Sequence, residues 1–146
     1  MTSAKTNVIA GFLLVWSLAY CGLVYFSFIT SSPEAIDDLV KAGTIKPEYA
    51  QYIRAIPDWV RALSVGLAVL RVLGSIGLLL RKAWAFEAFS LAFVITMVIM
   101  FRGFVIAGVA DVIRPSQIFV EIAFIAVSLF AVWFSKRCKT NLARSR

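Results

Sequence analysis

PDWVRALSVGLAVLRVLGSIGLLLRKAWA, residues 57–85, is the stretch whose reading decides the fold. From Trp59 to Leu80 only Arg61 and Arg71 are charged. At about 1.5 Å rise per residue this run is roughly 33 Å long as a helix, enough to cross a bilayer. Asp58 and Trp59 suit one interface, and Arg81, Lys82 and Trp84 form a basic, aromatic stop at the other. Arg71 departs from the pattern. It lies about 15 Å from the Arg81 edge by the same rise, near the midplane, where an unpaired arginine costs about 2.5–3.5 kcal/mol on insertion scales.

The rest of the composition agrees with a membrane protein. The chain has 146 residues, 61% of them hydrophobic, and a mean hydropathy of +0.87, against an apolar share of about 45–50% in soluble domains. Three further apolar runs can be read, at 8–29, 85–106 and 116–135, beside the one at 59–80. Four spans use most of the chain, so the expected fold is all-α, a single transmembrane four-helix bundle occupying residues 1–146. The run at 8–29 is longer than a signal-peptide core and rich in aromatic residues, so it reads as a retained span.

Residues 30–58 form the long outer loop. Ser32, Pro33 and Glu34 make a helix start and Gly43 a stop, and a second start follows at Pro47 and Glu48. From there Tyr49, Tyr52, Ile53 and Ile56 share one helix face. Two short amphipathic helices are therefore expected, with that face against the headgroups, the bundle mouth or a partner.

The net charge of +7 belongs mainly to the flanks of the spans, so it does not point to nucleic acid. Lys5, Arg81, Lys82 and the basic tail 136–146 lie on one side, while most acids lie on the other. The positive-inside rule then places both termini in the cytoplasm, the loop outside and the tail against anionic lipid headgroups. The chain has no histidine, and Cys21 and Cys138 form no C-x-x-C motif. No metal site, cofactor or catalytic set is expected, and the chain does not read as an enzyme.

KPEYAQYIRAIPDWV followed by LGSIGLLLRKAWA resembles a family of small bacterial four-span inner-membrane proteins often labelled "sugar transporter". The likeness rests on Pro47, Glu48, Tyr52, Pro57, Trp59, Leu73, Gly74, the leucines at 78–80, Arg81, Lys82, Trp84 and Ala85, and lies mainly within residues 46–91. It implies a bacterial inner membrane and transport, and assigns no catalytic or binding residue.

Inside the spans, Ser64, Ala68, Arg71, Gly74 and Ser75 share a face, a small polar stripe of the kind that packs on other helices. Gln117, Glu121 and Ser128 give the last span a polar seam. By helix rise Glu121 lies roughly 21 Å, Arg102 roughly 28 Å and Glu87 roughly 6 Å above the inner edge. Glu121 is thus expected to pair with Arg71, directly or through water, with Arg102 close enough to compete. Glu87 and Ser90 form a secondary candidate site near the inner edge. Two functions fit. The leading one is a non-catalytic protein acting by association, as an accessory subunit or partner-binding protein, in a homo-oligomer or a hetero-complex. The alternative is an oligomeric transporter or channel for a small polar or anionic solute, using Arg71 and Glu121.

Overall fold

The computed structural model describes the backbone of residues 3–109 and 115–144; the side chains of Ser3, of residues 115–117 and of 142 and 144 lie outside the description. The described residues form helices α1 (Ser3–Thr30), α2 (Pro33–Lys41), α3 (Pro47–Arg54), α4 (Asp58–Leu79), α5 (Ala85–Phe101) and α6 (Pro115–Arg144), with one π-helical turn at Arg102–Ile106. Four of them, over Ala4–Thr30, Asp58–Leu79, Ala85–Ile106 and Ile118–Asn141, are long and apolar enough to cross a membrane. They form the bundle expected from the four runs. The basic tail is helical as far as Arg144, in continuation of the last span. Lys139 on that extension pairs with Glu87 of α5, and Arg137 lies over Trp133 at 5.1 Å, so cationic side chains have local partners that favour the helix.

The loop folds as its punctuation predicts. Ser32 Oγ accepts a hydrogen bond from the Ala35 amide at 3.2 Å and caps α2, and Gly43 turns the chain at φ 68° after it. Pro47 opens α3. An exposed ion pair, Arg54 with Asp37, ties α3 to α2, while Ile36 and Ala50 are buried beneath them.

Small residues let the long helices approach. α4 packs on α1 and α5, and α5 on α6. Gly74 meets the Phe89 ring so closely that an added Cβ would stand 3.0 Å from it, and Gly77 is covered in the same way by Trp84 and Ala85. At the turn between α4 and α5 the Lys82 amide bonds the Gly77 carbonyl at 2.8 Å and Arg81 takes φ 53°. This is a helix stop that usually carries glycine. In the half of the bundle nearest the chain termini all four long helices meet in one cluster: Ala10, Leu13, Leu78, Ala85, Phe89, Ala131 and Phe134.

Candidate functional site

Arg71 stands at the centre of the other half's floor. It is 4% exposed. Its Nη2 donates to Ser128 Oγ of α6 at 2.7 Å and to Thr96 Oγ1 of α5 at 3.2 Å. Each hydroxyl in turn donates to the carbonyl four residues back in its own helix, Ser128 to Phe124 at 2.6 Å and Thr96 to Ala92 at 2.9 Å. The guanidinium carbon lies 4.4 Å from the Tyr20 ring centre and 5.6 Å from that of Phe124, so two aromatic faces cover the charge. The buried Nη1 has no hydrogen-bond partner among the described residues.

A direct ion pair between Arg71 and Glu121 is not formed. The ion pairs among the described residues are Lys41 with Asp38, Arg54 with Asp37 and Lys139 with Glu87. Hydroxyls win because Ser128 and Thr96 present acceptors at the depth of the guanidinium, whereas Glu121 lies two helical turns above Ser128. Phe124 occupies the height between them. Ser75, on the small polar stripe, packs on α1 behind the site: its Oγ donates back to the Arg71 carbonyl at 2.9 Å and lies 3.2 Å from Ser17 Oγ, which holds α4 to α1. Cys21 adds a weak bond to the Ala68 carbonyl at 3.9 Å on the same interface.

Above Arg71 a cavity of about 430 Å³ extends to the loop helices. Arg71, Thr96, Tyr20 and Phe124 line its lower part, Glu121 and Ser64 stand on the walls, and Tyr49, Tyr52 and Ile56 lie across the top. The apolar face of α3 is therefore turned into the bundle mouth. Ile53 is half-buried but does not line the cavity, while Glu48, Gln51 and Arg54 are exposed. Burial, with Tyr52 and Glu121 nearby, holds the Tyr49 phenol above its ordinary pKa, so it faces the cavity as a neutral hydroxyl.

Arg102 does not compete for Glu121. Its Nη2 donates to the Ala55 carbonyl at the end of α3 at 3.1 Å, and its guanidinium lies 5.7 Å from the Tyr52 ring centre. The π-helical turn that begins at Arg102 puts Gly103 beneath Tyr52, where an added Cβ would stand 3.4 Å from the phenol oxygen. Arg102 thus fastens the roof to the rim. The side chain of Gln117 lies outside the described residues. Glu87 pairs with Lys139 at an exposed position near the opposite end, and Ser90, buried without a hydrogen-bond partner, does not line the Arg71 cavity.

The site joins a desolvated cation, neutral hydroxyls, one carboxyl and aromatic faces in a volume typical of small-molecule pockets, about 300–1,000 Å³. Such a set can bind and orient an anionic group. It offers no activated nucleophile. Comparison of the chain with protein-family models, curated proteins and solved structures gives no match.

Proposed function

We propose that the protein is a non-catalytic membrane protein that binds a small anion-bearing ligand at Arg71, the binding step of a transporter. The observation that carries this reading is the cavity descending from the loop helices to a buried guanidinium whose Nη1 has no partner among the described residues and whose hydrogen-bonded acceptors are neutral. A desolvated cation without a counter-ion is costly, and an anion in the cavity would offset that cost through charge-assisted hydrogen bonds. Packing of the four-helix cluster below Arg71 favours approach from the loop half. Association through the loop is favoured less, because α2 and α3 bury Ile36 and Ala50 and turn their tyrosines inward.

The direct test is butanoate binding to the full chain in nanodiscs of phosphocholine lipid. Wild type should bind, Arg71→Lys should retain part of the affinity, and Arg71→Gln should lose at least about tenfold, the loss expected for one charge-assisted contact. Equal affinity in wild type and a folded Arg71→Gln protein would overturn the assignment.

The same reading sets the protein in a bacterial inner membrane with both termini cytoplasmic, which the resemblance and the basic flanks at Arg81, Lys82 and 136–146 favour. A cysteine introduced at position 45 should react with an impermeant thiol reagent added to intact cells, and one in the tail should not. Labelling of the tail alone would reverse the orientation.

A further inference from the structure

The walls of the cavity differ in a way that bears on how a ligand reaches Arg71. The top is crossed by Tyr49, Tyr52 and Ile56, and the roof helix is held down by Arg102 through the Ala55 carbonyl. The floor is the Arg71 hydroxyl cluster. On the sides α1 packs on α4, α4 on α5 and α5 on α6, but α1 and α6 lack comparable backbone packing among the described residues. They touch through side chains, with Phe124 lying 5.1 Å from the Trp16 ring centre and 5.4 Å from that of Tyr20. Above Phe124 this seam is a wall of the cavity. Of the described residues lining the cavity, the exposed ones are Leu23, Ser27 and Val120, and all three belong to α1 and α6.

Leu23 is 54% and Val120 51% exposed on helices long and apolar enough to cross a membrane, so this side of the cavity is bordered by side chains that face lipid acyl chains rather than water. An apolar flank at the side and a buried cation at the floor ask for two different chemistries in one molecule. We propose that the ligand is an amphiphile, which enters sideways between α1 and α6 from the bilayer half nearest the loop helices, seats its anionic group at Arg71 and leaves its apolar chain in the seam beside Leu23 and Val120.

This inference rests on the reading of Arg71 as an anion site and adds the chain and the route. A carboxylate carried on a chain brings its own apolar surface against the apolar side chains of the seam, while the guanidinium gives the head a partner that the hydrocarbon region does not. The aromatic contact of Tyr20 with Phe124 marks the lower end of the seam.

The experiment uses the full chain in phosphocholine nanodiscs, with empty nanodiscs subtracting simple partition, and three probes: dodecanoate, butanoate and dodecanol. Dodecanoate is expected to bind at least about tenfold more tightly than butanoate, and dodecanol no more than to empty discs. The variant Leu23→Trp with Val120→Trp, which fills the seam, should remove most of the affinity advantage of dodecanoate over butanoate. A second measurement holds even where that variant fails to fold: dodecanoate carrying a photoreactive diazirine on its chain should label wild-type α1 and α6 around positions 23 and 120. Equal affinity for dodecanoate and butanoate would overturn the amphiphile while leaving the Arg71 site in place. Dodecanol binding as tightly as dodecanoate would overturn the role of the anionic head. Crosslinks confined to α4 and α5 would overturn the route, and no binding of either acid to folded wild type would overturn both readings.

Discussion

Replacing Gly74 by leucine is expected to destabilise the folded bundle by about 3 kcal/mol, the upper end for overpacking a filled interior. A Cβ at Gly74 already stands 3.0 Å from three atoms of the Phe89 ring, and Phe89 is 4% exposed inside the four-helix cluster, so the ring has little free space into which to withdraw. α4 and α5 would have to separate, one turn from Arg71. In a bilayer the lost contacts are not offset by the hydrophobic effect, because lipid tails are as apolar as the protein interface, and association depends on close packing. Gly66 supplies the internal control. An added Cβ there meets nothing within 4 Å, so Gly66→Leu should change stability by no more than about 0.5 kcal/mol. Unfolding in bicelles under steric trapping measures both. Equal losses at the two positions would mean that the α4 and α5 contact does not control stability.

The number of spans and the positions of the turns were legible because they rest on patterns a single helix imposes on its own sequence. Apolar length marks the spans, Ser32 and Pro47 mark helix starts, Gly43 marks a stop, and the spacing of Tyr49, Tyr52 and Ile56 marks the face of α3 that turns inward. The small stripe at Ala68, Gly74 and Ser75 was legible for the same reason, and it does pack against other helices. Arg71 drew notice through its depth alone.

Its partners were harder to read. Ser128 stands in a legible polar seam, but Thr96, the other acceptor of Arg71, and Ser17, which meets Ser75, are single hydroxyls in apolar runs, and a serine or threonine in a span can satisfy itself on the carbonyl one turn back, as both do. Nothing in their own helices announces a role. Depth along a helix put Glu121 within reach of Arg71, but depth gives no rotation, and it does not register that the Phe124 ring stands at the intervening height. Arg102 meets the same limit: the acceptor it reaches is a backbone carbonyl, at Ala55, and carbonyls carry no sequence signal. The helical length of the tail rests on a distant partner, because Glu87, 52 residues away in sequence, supplies the acid that Lys139 meets.

The second large effect is expected in a double-mutant cycle. Arg71 Nη2 donates to Ser128 Oγ at 2.7 Å between buried groups, and a hydrogen bond to a charged group is worth about 1.5–3 kcal/mol. Arg71→Leu and Ser128→Ala should therefore be coupled by an amount in that range, since either substitution alone already removes the bond. Ser128 is a clean partner for the cycle, because truncating it leaves Nη2 its bond to Thr96 and strands no charge. Arg71 and Glu121 line one cavity without an ion pair, so they feel each other only through the field across it. Their coupling should stay below about 1 kcal/mol, well short of the 3–5 kcal/mol lost when one member of a buried pair is removed. Thermal unfolding in one detergent, run on the four proteins of each cycle, gives both numbers. A larger coupling for Arg71 with Glu121 than for Arg71 with Ser128 would mean that the two charges close on each other in the membrane, filling the cavity floor that the ligand is proposed to occupy; the predicted order leaves that guanidinium available to an incoming anion.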